Sequence, residues 1–281
     1  MAGKMKLTYR NRGKIPVYIV VIILSLAYLV PLFWMLSTSL KVHTQVFTNP
    51  PTWIPDPIVW GNYAEALTKI DYLGYTLNTL LISVSCMVGA MLSCSMVAFS
   101  ITKIEWIGKR LIFPVVLATM MLPYQVTMIP VYIIWKNMGM TGTYWPLIIP
   151  AFLGGSYYVF LLRQFAMTVP NALFEAATID GANPGKQYTT IMLPLIKPAI
   201  TSVGVFTFLA NWSDFLGPLI YINKAQKYTL TLGLYGFVNE HSVDWHLMMA
   251  ASMVFVIPVI IIFFVAQKQF IEGITLTGIK G

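Results

Sequence analysis

The sequence has 281 residues, of which 57% are hydrophobic and 10% charged, and its formal net charge at pH 7 is +8. Ordinary soluble domains carry about 25% charged residues, so this composition excludes a single water-soluble globular domain and predicts an integral membrane protein. The basic residues are spread along the chain and form no single patch, so we expect no nucleic-acid partner.

Six long runs with almost no charged residue predict six transmembrane helices. Each run exceeds the about 20 residues that a helix needs to cross the hydrocarbon core, and none alternates polar and apolar residues as barrel strands do. The predicted fold is all-α, with one transmembrane domain over residues 1–281. The spans are predicted at about 15–40, 73–101, 111–135, 142–162, 198–222 and 247–267.

The distribution of lysine and arginine sets the orientation of these spans. With the N-terminus in the cytoplasm, the inner segments hold 13 of the 18 basic residues and the outer segments hold five. This bias predicts that both termini are cytoplasmic.

The first outer segment, residues 41–72, contains a proline-rich stretch at 49–57 that cannot be helical throughout. Trp53 lies within it and Trp60 follows it, and tryptophan favours the membrane–water interface. We expect this segment to pack over the outer face.

The inner loop at 163–197 contains two short predicted helices. Asn171 is a candidate N-cap for the first, and Gly181 is placed to end it in a left-handed conformation. Pro184 favours the start of the second helix, which should run to about Met192 and stop before Pro194.

The fifth predicted span contains a polar pair, Asn211 and Asp214, on either side of Trp212. The two residues are one helical turn apart, so they share a face. A carboxylate inside a membrane helix is costly unless it faces the bundle interior. These three residues are therefore a candidate translocation path, and Gly217 and Pro218 after them predict a bend. The alternative is that the pair hydrogen-bonds to another subunit.

The sequence lacks the patterns of most enzymes. Its histidines, His43, His241 and His246, form no HExxH pattern, and no CxxC pair is present, so we predict no metal site and no catalytic residue. A phosphate-binding loop is missing as well, so we expect no cofactor on this chain and no ATP hydrolysis by it alone. Asp214 is the one acidic residue within the spans, which argues against an ion-coupled carrier.

The inner loop resembles the signature of a known family. Residues 175–181 read EAATIDG, and nine residues later 191–194 read IMLP. This is similar to the EAA signature of binding-protein-dependent ABC importer permeases, which is EAA, three residues, Gly, nine residues, then I-x-L-P. The resemblance implies that the loop docks an ATPase subunit, with a docking set of Glu175, Ala176, Ala177, Asp180, Gly181, Ile191, Leu193 and Pro194.

Further stretches resemble the carbohydrate branch of that family, in particular the smaller permease of the maltose transporter. They are residues 175–200, the segment NWSDFLGPL at 211–219 and the C-terminal tail at 269–281. Ser213 departs from the more usual Asn of that branch.

The resemblance implies a type I importer permease that carries a sugar or oligosaccharide across a bacterial or archaeal plasma membrane. The implied partners are a second homologous permease, two cytoplasmic ATPase subunits that use ATP and Mg, an extracytoplasmic solute-binding protein and membrane lipid. The tail would reach the ATPase dimer interface. Three alternatives remain open: the same machine with a non-sugar solute, a secondary transporter, and a membrane-embedded enzyme.

Overall fold

The computed structural model describes the backbone of residues 14–238 and 243–278, and the side chains of these ranges up to residue 267 except that of Ile15. Helices and turns make up the described residues, with one isolated antiparallel bridge between Val238 and Val243. The predicted all-α fold is confirmed. Four described helices are long and apolar enough to cross a membrane, and the number is six if each of two bent pairs forms one span.

We number the α-helices in chain order. They are α1 Ile15–Ser39, α2 Gly61–Lys69, α3 Tyr72–Lys103, α4 Lys109–Met120, α5 Tyr124–Asn137, α6 Trp145–Ile148, α7 Ser156–Thr168, α8 Asn171–Ile179, α9 Pro184–Gln187, α10 Leu193–Leu195, α11 Lys197–Trp212, α12 Leu216–Tyr221, α13 Leu230–Leu234 and α14 Trp245–Gly278.

The chain divides into two compact units, of which the first comprises Met1–Ile70 and Gly236–Val256. The proline-rich stretch in it is irregular, as predicted, and Trp53 packs edge-on against Trp34 of α1 at 5.0 Å between ring centroids. The segment before α2 is thus held by aromatic packing.

An ion pair lies in the same unit. The Lys69 ammonium, at the end of α2, lies 2.6 Å from the Asp244 carboxylate and lowers the pKa of that carboxyl.

The second unit comprises Asp71–Tyr235 and Ile257–Gly281, and α3 runs through its core. Small residues on α3, such as Ala90, Cys94 and Ala98, are buried against α7 and α11. A Cβ at Gly204 of α11 would lie 2.7 Å from the Met91 sulfur, so the helices approach closely there. Small residues permit such approach in membranes, where apolar burial alone gives no attraction between helices.

The third predicted span, 111–135, is not one straight helix. It is divided into α4 and α5, which meet at an angle of 104° across residues 121–123. Pro123 explains the break, because it lacks an N–H donor and its ring excludes the helical conformation of the preceding residue.

Helix α7 continues past residue 162, the predicted end of the fourth span. That span includes α6, a 3₁₀ turn at Ile149–Leu153 and α7, which ends at Thr168. The inner loop predicted at 163–197 therefore begins with the last residues of α7. Arg163 lies within this helix, with its guanidinium carbon 3.8 Å from the Phe113 ring centroid in a cation–π contact.

Candidate functional sites in the signature loop and at the break after α11

Helix α8 carries the EAA residues and is anchored by one buried side chain. Phe174 is 6% exposed, and its ring lies 6.0 Å from that of Phe99 on α3. The Lys103 ammonium, at the end of α3, donates to the Val169 carbonyl at 2.6 Å and to Asn171 Oδ1 at 2.7 Å. The start of α8 is therefore held against the end of α3.

The start of α8 differs from the prediction in one respect. Asn171 is the first helical residue, and the capping position belongs to Pro170, which makes no side-chain cap. Asn171 uses its amide oxygen for Lys103 instead of a backbone N–H of α8. A tertiary contact has replaced the local one.

The end of α8 confirms the role predicted for Gly181. Its φ is +78°, the left-handed region that glycine adopts without a steric penalty. The Gly181 N–H donates to the Thr178 carbonyl at 3.0 Å, and the Ala182 N–H to the Ala177 carbonyl at 2.8 Å. These are the two hydrogen bonds of the Schellman motif, which satisfies carbonyls left free at a helix end.

The opposite face of α8 is available to a partner. Glu175, Ala176, Asp180 and Gly181 are exposed, and Ala177 is half-buried. Ile179 is 87% exposed although it is apolar. Small side chains beside one apolar residue form a surface that another protein can approach closely.

The second part of the loop does not stop before Pro194. Helix α9 begins at Pro184 as predicted, with Asn183 Oδ1 accepting from the Lys186 N–H at 2.8 Å. A π-helical turn follows at Tyr188–Met192, and α10 carries the chain through Pro194 to Leu195. Pro194 lies in the first turn of α10, where the missing N–H of proline is tolerated.

The predicted docking set separates into two groups. Ile191 and Leu193 pack against the core of the second unit, whereas Pro194 is exposed. The Gln187 amide joins the two parts of the loop, since it donates to Thr178 Oγ1 at 2.9 Å and to the Ala182 carbonyl at 3.1 Å. Sequence reasoning missed Lys103 and Gln187, whose contacts depend on tertiary structure.

The predicted common helical face of Asn211 and Asp214 is wrong. Helix α11 ends at Trp212, and Asp214 lies in the break before α12. Its Oδ1 accepts from the Gly217 N–H at 3.1 Å, and its carbonyl accepts from Thr231 Oγ1 at 2.5 Å. Asp favours positions where its carboxylate can accept from the free N–H groups at a helix start. Asp214 occupies such a position before α12, and the fifth span is interrupted there.

The three candidate path residues occupy different environments. Trp212 is 0% exposed, and its ring stacks on Phe208 at 5.5 Å between centroids. Asn211 and Asp214 are half-buried, and the Asn211 amide donates to the Thr207 carbonyl at 2.8 Å. Among the described residues, no three His, Cys, Asp or Glu side chains are grouped to hold a metal ion.

The tail predicted to reach a partner, residues 269–281, lies outside the described side chains. Its backbone is described as part of α14 up to Gly278. The role of the tail stays a prediction.

Sequence comparison matches residues 90–275 to the family described as binding-protein-dependent transport system inner membrane component. The chain is 31% identical to the arabinooligosaccharides transport system permease protein AraQ of Bacillus subtilis, over 92% of each chain. It is 30% identical to the diacetylchitobiose uptake system permease protein NgcG of Streptomyces coelicolor, over 88% of this chain and 83% of that protein. It is 29% identical to the sn-glycerol-3-phosphate transport system permease protein UgpE of Brucella abortus, over 88% and 90%.

Structure comparison gives the same fold. A chain of a bacterial ABC transporter involved in the import of the acidic polysaccharide alginate matches with a TM-score of 0.80 at 21% identity, over 92% of this chain and 97% of that one. A chain of a bacterial alginate ABC transporter in complex with an alginate-pentasaccharide-bound periplasmic protein matches with a TM-score of 0.62 at 14% identity, over 93% and 96%.

Proposed function

Because the chain belongs to the family of inner membrane components of binding-protein-dependent transport systems, we propose that it is a permease subunit of an ATP-driven importer for a sugar or oligosaccharide. The observation that carries the ATP-driven part is α8, a short helix anchored by Phe174, closed at Gly181 and exposed on its EAA face. A surface helix held this firmly can transmit a push from a partner.

The partner for α8 is a cytoplasmic ATPase subunit. Glu175, Ala176, Ala177, Asp180 and Gly181 form the docking surface, with Ile179 beside them. Ile191 and Leu193 support the loop from the core side, and Pro194 lies at its exposed edge. ATP and Mg act on the partner, since this sequence has no phosphate-binding loop.

The assembly contains a second homologous permease, two ATPase subunits and an extracytoplasmic solute-binding protein. None of the most apolar part of α1 is buried within the chain, so that helix is available to lipid or to the second permease. Both termini lie in the cytoplasm, in agreement with the 13 to 5 excess of basic residues that this orientation places inside.

The proposed solute class follows from the relatives. AraQ is named for arabinooligosaccharides and NgcG for diacetylchitobiose, and each is at least 30% identical to this chain. UgpE is named for sn-glycerol-3-phosphate at 29% identity, so a non-sugar solute is the second candidate.

The break after α11 supplies the proposed solute contacts. Half-buried Asn211 lies in the last turn of α11, and half-buried Asp214 lies in the break that follows, so side-chain and backbone polar groups can meet sugar hydroxyls in a wet cavity. Trp212 is fully buried and stacks on Phe208 in this conformation, so its proposed role is to support this part of the path. Whether this chain or its partner permease makes most of the contacts is set by the assembled pair.

The experiment is purification of the tagged chain from its native membranes, followed by reconstitution in liposomes. We expect it to co-purify with an ATPase and a second permease. Uptake of radiolabelled arabinotriose, diacetylchitobiose and glycerol-3-phosphate is then measured with ATP enclosed and the binding protein outside. Uptake by this chain alone, driven by an ion gradient, would overturn the proposal in favour of a secondary carrier.

A further inference from the structure

Three residues on α3, spaced four apart, contact the signature loop. Ser95, Phe99 and Lys103 lie at positions i, i+4 and i+8 of one helix, so they share a face. We call them the α3 stripe.

The first half of the stripe contacts the π turn after α9. Ser95 Oγ and the Tyr188 hydroxyl are 2.7 Å apart, and the Phe99 ring lies 5.5 Å from the Tyr188 ring. Ser95 is 1% exposed and Phe99 is 4% exposed. These contacts are dry and closely packed, so they do not slide freely.

The second half contacts α8 itself. Phe99 packs on Phe174, and the Lys103 ammonium lies 5.2 Å from the Phe174 ring centroid. The same ammonium bonds to Val169, before α8, and to Asn171, its first residue. Hydrogen bonds from a charged donor are shorter and roughly twice as strong as neutral ones.

We propose that the α3 stripe transmits displacement of α8 to the transmembrane helix α3, and that Lys103 is the positioning residue at the α8 end. This inference rests on the proposed docking of an ATPase to α8. The chain connects α8 covalently to α7, through residues 169 and 170, whereas α8 and the residues just before it meet α3 through side-chain contacts that include those of the stripe. Lys103 is the member with two directed bonds, so its loss should weaken the coupling of α8 to α3.

The test uses the complete complex with one added cysteine, Leu77→Cys, at the outer end of α3. Leu77 is 56% exposed, whereas the native Cys86 and Cys94 are 1% and 0% exposed, so the complex without Leu77→Cys serves as the labelling blank. The rate of reaction with a membrane-impermeant maleimide is measured without nucleotide and with ATP and vanadate. Trapped nucleotide and retained ATPase are measured in the same samples.

Three side chains at position 103 are compared. Lys103→Met keeps the length of the stem but removes the charge and the donors, whereas Lys103→Arg keeps both. We expect ATP and vanadate to change the labelling rate with Lys or Arg at 103. With Met, which removes both bonds, the change should fall at least about tenfold, the factor that corresponds to a single bond to a charged group. Trapped nucleotide should be equal in all three.

Two results would overturn the inference directly. One is a full ATP-driven change with Met at 103, and the other is no change at Leu77→Cys with Lys at 103, since α3 would then not follow α8. If Lys103→Met does not assemble, Asn171→Ala decides, because it removes one acceptor and leaves the bond to Val169. If the labelling change at Leu77→Cys is the same with Asn171→Ala as with the wild type, or if Asn171→Ala also fails to assemble, the role of Lys103 is in folding and the inference is overturned. A complex with no ATPase at all would instead overturn the proposed function.

Discussion

Replacement of Gly181 tests whether the shape of the signature loop is required for docking. Gly181 has φ of +78° and closes α8 through the Schellman hydrogen bonds. A Cβ built there would meet no atom within 4 Å. The cost of a substitution is therefore conformational, with no clash inside the chain.

The magnitude follows from that conformation. An L-residue in the left-handed region costs roughly 1–2 kcal/mol. Gly181→Ala should therefore lower the ratio of molecules with an ordered loop end to molecules with a frayed one by about 5- to 30-fold. Asn adopts this region more readily than Ala, so Gly181→Asn should lose less. Gly181→Asp has nearly the same shape as Gly181→Asn and adds a negative charge, so the difference between them measures the charge at the contact.

The assay measures the ATPase retained per permease after purification, together with uptake. We expect ATPase retention to decrease in the order Gly, Asn, Ala at position 181. Gly181→Asp should retain much less ATPase than Gly181→Asn, and its uptake should be lost. Gly139→Ala is the matched control, because Gly139 also has a left-handed φ, +70°, and open space, but lies in the turn after α5. It should show similar backbone strain with normal ATPase retention.

The reasoning is refuted if Gly181→Ala retains the ATPase and transports as the wild type does. Equal retention by Gly181→Asp and Gly181→Asn would refute the part that concerns charge. If Gly139→Ala loses the ATPase to the same extent, general instability and not loop shape explains the result.

Three further predictions concern topology, the break and pH. Lys186→Cys, on the exposed inner loop, should react with an impermeant maleimide only from the cytoplasmic side, and reaction in intact cells would reverse the topology. Asp214→Asn keeps an acceptor for the Gly217 N–H and should assemble, whereas Asp214→Leu should lose about 0.5–2 kcal/mol of capping by melting analysis; if Asp214→Leu is as stable as the wild type but fails to transport, Asp214 contacts solute. Lys69 lowers the pKa of Asp244, so this pair stabilises the fold above the unfolded-state pKa of about 3.9, and the stability is lost as pH falls through the folded-state pKa. Asp244→Asn should lower the free energy of unfolding by at most about 1 kcal/mol at pH 7, as for exposed pairs. At a pH low enough to protonate Asp244, the substitution should cost nothing. An equal cost under both conditions would contradict this assignment.

Local chemistry made much of this protein predictable. The charge-free runs required helices in lipid, because no other arrangement of 20 or more such residues satisfies the backbone there. Gly181 and Asn183 mark the end of α8 and the start of α9 through their own conformational and hydrogen-bonding properties. Each of these predictions depends on residues within a few positions of each other.

The predictions that failed depended on how long the helices remain continuous. Pro123 interrupts the third span and Asp214 the fifth, whereas Pro194 does not stop its helix. Prolines also lie within α1, α4, α5 and α14 without ending them, and Pro194 falls in the first turn of α10, where a missing N–H is tolerated. Tyr188, the first residue of the π turn before Pro194, packs on Phe99, 89 positions away in the chain.

The sequence alone thus determined the membrane class and the all-α fold, and it predicted the spans and the signature loop, because hydrophobicity and backbone preference act locally. Tertiary structure alone decided which loop residues face outward and which anchor the loop. Lys103 in the sequence is one more inner basic residue, but in the fold its ammonium holds Val169 and Asn171. Asp214 in the sequence is a polar residue within a span, but in the fold its carboxylate accepts from the Gly217 N–H in the first turn of α12. In both cases the partner of a polar group is chosen by distance in space, which spacing along the chain does not specify.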